Sequence, residues 1–455
     1  MASIPTATHL QLHGNELEVE FVDRKAQLAI RPSAQRILDK IERDIRKPSD
    51  CILNYRDLVW PQINRGNFKK IKPRLRIVPL ERLGAAPGKS GSRVMVAYFT
   101  ESRKPENKDY WSTPMVLKIE EAIGPTKNKL RDENNNAAVV RRFAANTDRF
   151  ALPFEFWDQG GHNVLWSKFT HNARFWNENS GEYWLGLDDL RGLLKDQCKI
   201  QGAKAGEVIR DAVGLLRSLH GKGLPPKYRD ENIVRHYCWY LRDILDKRLQ
   251  WPSSSSDWAA PWKSVWANHT QENISFWGRR WKNPFWVLDQ LRRLRRPQRL
   301  LCGVVHGDFH PRNIVLAGTA QPHIIDFGWS GDDRHIGQDF VLLECNLRFL
   351  VQQPALPFAD LQGLSSWIEF GSRGPSPLTT DYVRNRVRLI AELRNAACTH
   401  FPLDTNWDIE YIIPLFLTSL GLLKHMTDCE NQLAGHLTIL SLANYISSNV
   451  LPRIR

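Results

Sequence analysis

A chain of 455 residues, 42% hydrophobic and 25% charged, has the length of two or three domains and the composition of an ordinary globular protein with a substantial core. The longest apolar run, residues 412–423, contains Pro414 and is too short to span a membrane, and residues 1–20 do not read as a secretory leader. Seven cysteines without a C-x-x-C pair suit reduced thiols in a cytoplasmic protein rather than a zinc cluster, and the net charge of +14 fits either an anionic partner or a generally basic, solvated surface.

Residues 1–72 read as an N-terminal appendage. Residues 9–22 alternate apolar and polar around His13-Gly14-Asn15, a hairpin pattern. Ile37, Leu38, Ile41 and Ile45 then recur at helical spacing behind Ser33 as a cap, and a basic linker over residues 67–74 closes the segment. Residues 75–83 and 94–99 read as strands joined by a loop containing Gly84, Gly88 and Gly91. Such a loop can lay backbone N–H groups over phosphates, and it can equally be a plain hairpin turn. It is not a P-loop, because three residues rather than four separate Gly84 from Gly88-Lys89-Ser90.

Residues 114–119 form an apolar strand with Lys118 inside it. A lysine there is costly unless it is paired or points to water. The partner expected is Glu133 on a helix over residues 127–143, with Asp132 as the alternative; Glu120 and Glu121 are too close along the strand to reach round. Residues 150–157 and 163–169 complete a five-stranded lobe.

After about residue 173 the pattern turns helical, first over 187–194 and 207–220. Residues 222–300 interleave Trp251, Trp258, Trp262, Trp266, Trp277, Trp281 and Trp286 with a basic run of Arg292, Arg293, Arg295, Arg296 and Arg299. Aromatics among arginines can stack bases and hold phosphates, which would make RNA a partner or this insert an acceptor site. A helical insert with tryptophans in its core and arginines in water has the same pattern.

The stretch 304–331, VVHGDFHPRNIVLAGTAQPHIIDFGWSG, carries the chemistry. A polar loop over 306–313 leads into a short hairpin that ends on Asp326-Phe327-Gly328, so Asp308, Asn313 and Asp326 are expected at its mouth. Phosphoryl transfer needs one carboxylate beside the attacking hydroxyl, plus an amide oxygen and a second carboxylate on magnesium. By residue usage, H-x-D-x-x-x-x-N arises by accident in roughly one chain of this length in fifty, and with D-F-G at hairpin distance in roughly one in ten thousand. Asp339 is expected to tether the loop or cap its own helix, and helical segments fill the chain from residue 338 to 450.

With these motifs in line, residues 75–450 resemble the aminoglycoside phosphotransferase and choline kinase family, within the protein-kinase-like fold. The resemblance implies an α+β, two-lobed protein: a small antiparallel N-lobe at 73–170 and a large helical C-lobe at 171–455, with 1–72 as an extra segment. It implies ATP or another NTP with Mg2+, Asp308 orienting or deprotonating an acceptor hydroxyl, Asn313 and Asp326 binding the metal, and Lys118 held by Glu133 on the phosphates. His310 stands where serine/threonine kinases carry lysine, and only ten residues separate Gly328 from Asp339, too few for a peptide platform. A small-molecule acceptor is therefore expected.

Overall fold

The computed structural model describes residues 6–12, 15–21, 24–46, 73–79, 92–101, 115–122, 128–144, 149–158, 161–168, 174–177, 182–185, 189–195, 199–221, 226–241, 262, 265, 267–317, 321–353, 355–369 and 380–454. They fall into two compact units, residues 1–188 with 315–329, and residues 189–314 with 330–455.

The first unit is built on a seven-stranded sheet. β1 (Thr6–Leu12) and β2 (Asn15–Phe21) form the expected hairpin, in which Leu17, Val19 and Phe21 are buried between outward-facing glutamates. β3 (Pro73–Pro79), β4 (Arg93–Glu101), β5 (Met115–Glu121), β6 (Pro153–Trp157) and β7 (His162–Lys168) follow, and the sheet order is β1-β2-β3-β4-β5-β7-β6. β1 and β2 thus belong to the same sheet: β2 pairs in parallel with β3, so the sheet is mixed rather than purely antiparallel. Glu18 lies opposite Arg74 and Glu20 opposite Arg76, and both pairs form ion pairs across the junction. Opposed charges at adjacent register positions favour this pairing over a slipped one.

Helix α1 (Arg24–Arg46) starts well before the expected cap at Ser33 and carries Pro32 in its interior. Its Ile30, Ala34, Ile37 and Leu38 pack into the same core as Leu117, Val164 and Trp166. Ser33 is a buried mid-helix link, not a cap: its hydroxyl donates to the Ile30 carbonyl (2.8 Å) and accepts from the Trp166 indole (3.2 Å). After residue 173 the chain makes one more hairpin before any helix, β8 (Arg174–Asn177) with β9 (Glu182–Leu185). Phe175, Trp176, Tyr183 and Trp184 are strand formers, and the sequence between them holds Asn, Ser and Gly, a pattern that outweighs the helical reading.

The second unit is mainly helical around a three-stranded sheet. Helix α3 (Lys199–Gly221), which follows α2 (Lys129–Ala144) of the first unit, precedes β10 (Lys227–Glu231), the hairpin β11 (Asn273–Phe276) and β12 (Arg279–Lys282), α4 (Pro284–Arg292) and β13 (Gln298–Val305). The hairpin of β14 (Ile314–Ala317) and β15 (Gln321–Ile324) returns the chain to the first unit, and β16 (Gly331–His335) completes the order β10-β13-β16. Helices α5 (Gly337–Cys345), α6 (Phe358–Ser366), α7 (Asp381–Cys398), α8 (Ile413–Gly421) and α9 (Gln432–Tyr445) follow. No described helix is long and apolar enough to cross a membrane.

The centre of this unit is ionic. Glu344 accepts from Arg348 (2.7 Å), Arg394 (2.7 and 2.8 Å) and the Tyr411 hydroxyl (2.7 Å), linking α5, α7 and the turn before α8. The two guanidiniums also cap the carbonyls of Leu364, Trp367 and Ile368 at the end of α6. Burial alone would raise the Glu344 carboxyl, but Arg394 and Arg348 outweigh it and hold the group at about 2.

In the tryptophan- and arginine-rich insert the described tryptophans range from buried to exposed, while the basic run faces outward. Trp262 and Trp281 are buried, donating to His436 Nδ1 and to the Phe276 carbonyl. Arg292, Arg293, Arg295, Arg296 and Arg299 are exposed, with Arg292 and Arg293 paired to Asp289 and Arg299 stacked over Tyr228. Helical amphipathicity does not account for this: Trp281 lies on strand β12, Trp277 at the preceding turn is 48% exposed, and of these arginines only Arg292 lies within α4. Trp251, Trp258 and Trp266 lie outside the described residues.

Candidate active site

In the first unit, Lys118 sits in the middle of β5, opposite Val94 of β4 and Leu165 of β7. Its neighbours Leu117 and Ile119 point into the core, so period-two alternation sends the lysine to the other face. Helix α2 (Lys129–Ala144) crosses that face. Glu120 Oε1 accepts from the Leu130 backbone N–H (3.0 Å) and from Asn163 Nδ2 (2.9 Å), which ties the first turn of α2 to the sheet. One turn further, both carboxylate oxygens of Glu133 accept from Lys118 Nζ, at 2.8 and 2.9 Å.

The third member is Asp326, whose Oδ1 lies 3.5 Å from Lys118 Nζ. Two contacts bring it there. The β14–β15 hairpin is stitched to residues 149–151 by Ala151 N–H to the Ile324 carbonyl and Ile324 N–H to the Arg149 carbonyl, both 2.9 Å. Phe327 is buried edge-on against Phe150, with ring centroids 5.7 Å apart. Asn136, three residues after Glu133 and on the same helical face, donates to the Gly328 carbonyl (2.6 Å). Asp326 itself has φ +62°, a left-handed conformation that Asp tolerates better than most residues and that recurs where a site demands it.

The electrostatics of the trio follow from burial and charge. Burial by itself pulls the Lys118 ammonium down, yet the carboxylates of Asp326 and Glu133 outweigh it and hold the group above the ordinary lysine range. The lysine is therefore a fixed cation. Burial pushes the Glu133 carboxyl up, against the opposing pull of Lys118.

In the second unit, β13 delivers the loop of residues 306–313. Asp339 is fully buried and accepts from the backbone N–H groups of His306 (2.9 Å) and Gly307 (2.8 Å), so it tethers the loop. Gln338 Nε2 donates to the Gly307 carbonyl (3.1 Å) and Ser330 Oγ to the His306 carbonyl (3.0 Å). Gly307 has φ +83°, which favours glycine at this bend. His306 is buried and accepts from the Asp308 N–H through Nδ1 (3.3 Å), a shaping role.

Asp308 is thereby presented half-exposed. Asn313 Nδ2 donates to its carbonyl (2.9 Å) and lies 3.4 Å from Oδ2, and His310 Nε2 lies 3.5 Å from the same oxygen. His310 also caps the following turn through Arg312 N–H. Of the residues singled out in the sequence, Lys118, Glu133 and Asp326 thus come together in one unit, and Asp308 and Asn313 in the other. Gly84, Gly88 and Gly91 lie outside the described residues. Sequence reasoning missed Asn136, Glu120 and Ser330; only Asn136, by its spacing from Glu133, left a signal to find.

A family model described as Ternary complex associated domain 9 matches residues 243–424, less than half of the chain. No curated protein matches the sequence. Among solved structures, an amicoumacin kinase in complex with AMP-PNP and Ca2+ is 12% identical, with a TM-score of 0.38 over 80% of this chain and 88% of its own. Choline kinase from Streptococcus pneumoniae is 10% identical, with a TM-score of 0.39 over 84% and 98%. An aminoglycoside phosphotransferase from Streptomyces rimosus is 14% identical, with a TM-score of 0.31 over 68% and 93%.

Proposed function

We propose that the chain is a phosphotransferase that moves the γ-phosphoryl group of ATP, or of another nucleoside triphosphate, to a hydroxyl of a small-molecule acceptor. One observation carries this: a lysine on a central strand is gripped by both oxygens of Glu133 and faces Asp326. A cation fixed in this way suits the phosphates of a nucleotide. Asp308 orients the acceptor hydroxyl and takes up its proton as the bond to phosphorus forms. Asn313 and Asp326 each offer a donor of the kind Mg2+ takes, a carboxamide and a carboxylate oxygen. The Asn313 amide nitrogen is engaged by Asp308, which turns its carbonyl oxygen the other way, and the Asp326 side chain is 40% exposed. Bound there, Mg2+ would neutralise charge on the phosphates.

Mg-ATP consumption screened against pooled metabolites, with the Asp308→Asn variant as blank, tests the reading. Lys118→Ala is expected to lower turnover about 10²–10³-fold, as removal of a charge-stabilising donor does; a near-normal rate would move the lysine to a solvent role. Asp326→Asn keeps a residue that tolerates the left-handed conformation but removes the charge. It is expected to weaken Mg2+-dependent ATP binding, and calorimetry showing equal affinity would remove its metal role.

The matching family description names a ternary complex, which suits a second reading: a nucleotide-binding module that works within such a complex without turnover. ATP binding with no consumption in any metabolite pool would select it.

A further inference from the structure

The hairpin of β11 and β12 turns on Trp277 and Gly278 alone, and both have positive φ, +50° and +69°. A two-residue turn of this kind matches the twist of its strands but demands left-handed backbone at both positions, which Asn-Gly or Asp-Gly supplies. Tryptophan at the first position is an outlier, because the left-handed region crowds its Cβ against the following carbonyl oxygen. Burial does not explain the choice, since Trp277 is 48% exposed. Backbone strain retained at an exposed aromatic points to a task for the side chain.

The indole is held in place from below. It stands edge-on to Phe276, with ring centroids 4.3 Å apart, and to His436 of α9 at 5.8 Å, and both of these rings are buried. Arg279, the residue after the turn, reaches the first residue of α6, with its Cζ 5.6 Å from the Phe358 ring centroid. Phe358 is 41% exposed, and Ala355, Pro357 and Ala359 beside it are exposed as well. Single apolar residues on a surface are ordinary, but here an indole, a phenyl ring and small apolar groups flank one guanidinium. Among the described residues no carboxylate pairs with Arg279. The acids nearest to Arg279 and Phe358 along the chain, Glu272 and Asp360, are bonded to Lys282 and Thr380.

The chemistry of this face selects its occupant. A second copy is disfavoured, because the chain carries a net charge of +14 and the face itself adds a cation. A nucleic-acid strand needs a row of cations along its phosphates. Here period-two alternation sends Arg280 to the opposite face of the hairpin from Arg279, and the basic run starts with Arg292, at the end of α4 away from β12. A guanidinium stacked on a phenyl ring keeps its in-plane N–H donors for a carboxylate, and tryptophan and arginine are the residues that most often anchor protein interfaces. We propose that the Trp277 turn, Arg279 and the start of α6 form a docking face for an acidic segment of another protein, which sets a carboxylate on Arg279 and packs a large apolar side chain against Trp277 and Phe358. The face rests on neither reading of the nucleotide site.

The test selects a phage-displayed library of random peptides on the full wild-type chain and titrates the recovered peptides by fluorescence anisotropy. They are expected to pair an aspartate or glutamate with a large apolar residue. Arg279→Gln and Phe358→Ala should each weaken their binding about 10–100-fold, the scale of a lost interface anchor. Trp277→Asn installs the residue that the turn prefers, so it should weaken binding by a similar factor without lowering the thermal midpoint of unfolding. A lowered midpoint would assign Trp277 to packing and overturn the proposal. Recovery of no peptide, of peptides without a carboxylate, or of peptides that bind all three variants as well as the wild type would overturn it too. Poly(U) and phosphatidylserine vesicles are titrated alongside, and the oligomeric state is read by sedimentation. Binding of either probe, or self-association, that is lost in Trp277→Asn and Arg279→Gln would give the face to an RNA, a membrane or a second copy instead.

Discussion

On the proposed reading, Asp308→Asn is expected to lower ATP-dependent phosphotransfer about 10²–10⁴-fold, the contribution of a positioned general base, and to leave ATP affinity near that of the wild type. The loop that presents Asp308 is organised by contacts this substitution does not touch. Asp339 holds the His306 and Gly307 N–H groups, Ser330 holds the His306 carbonyl, and Asn313 Nδ2 donates to the backbone carbonyl of residue 308. An asparagine at 308 still offers an oxygen toward Asn313, so the variant isolates loss of the carboxylate charge from loss of the loop. Steady-state ATP consumption and calorimetric ATP titration, run side by side, read the two effects separately. Unchanged turnover would refute the role of Asp308.

Glu344→Gln destabilises the second unit by about 3–5 kcal/mol, because it leaves two buried arginines with one neutral partner. Glu344, Arg348 and Arg394 are all at most 1% exposed, and the carboxylate is the only acid that this arginine pair contacts among the described ion pairs. Denaturant unfolding followed by tryptophan fluorescence measures the loss, and an unchanged midpoint would contradict it. The same group predicts the acid limit of the fold. Its folded value of about 2 lies below the usual 4.5, so its contribution is complete above pH ~4.5 and is lost as pH falls from there toward 2. At ~1.4 kcal/mol per pH unit this amounts to about 3 kcal/mol. In Glu344→Gln that part of the acid dependence should be absent.

What could be read from the sequence divides by mechanism. Lys118 and Glu133 were legible because an apolar strand with one lysine demands a partner, and only one helix offered an acid that could reach round. The loop residues were legible because their spacing is rare by accident. The parallel junction of β2 with β3 was not, because 51 residues of chain separate the two strands and periodicity carries no information on which strand a hairpin joins. The start of α1 was hidden by Pro32, which reads as a boundary but is tolerated within the helix. The hairpin of β8 and β9 was hidden by a helical expectation imposed from the residues that follow. Asp339 was recognised as a tether or cap but could not be resolved between the two until its oxygens were seen on the loop backbone.

On the proposed reading, Lys118, held by Glu133 beside Asp326, is a site for nucleotide phosphates. Titration of Mg-ATP into the wild-type chain and into Lys118→Ala tests it most directly. Saturable, Mg2+-dependent binding that weakens at least ~10-fold in the variant is the predicted result, in line with the loss of a charge-assisted contact. No binding by the wild type, or equal affinity in both, would contradict it.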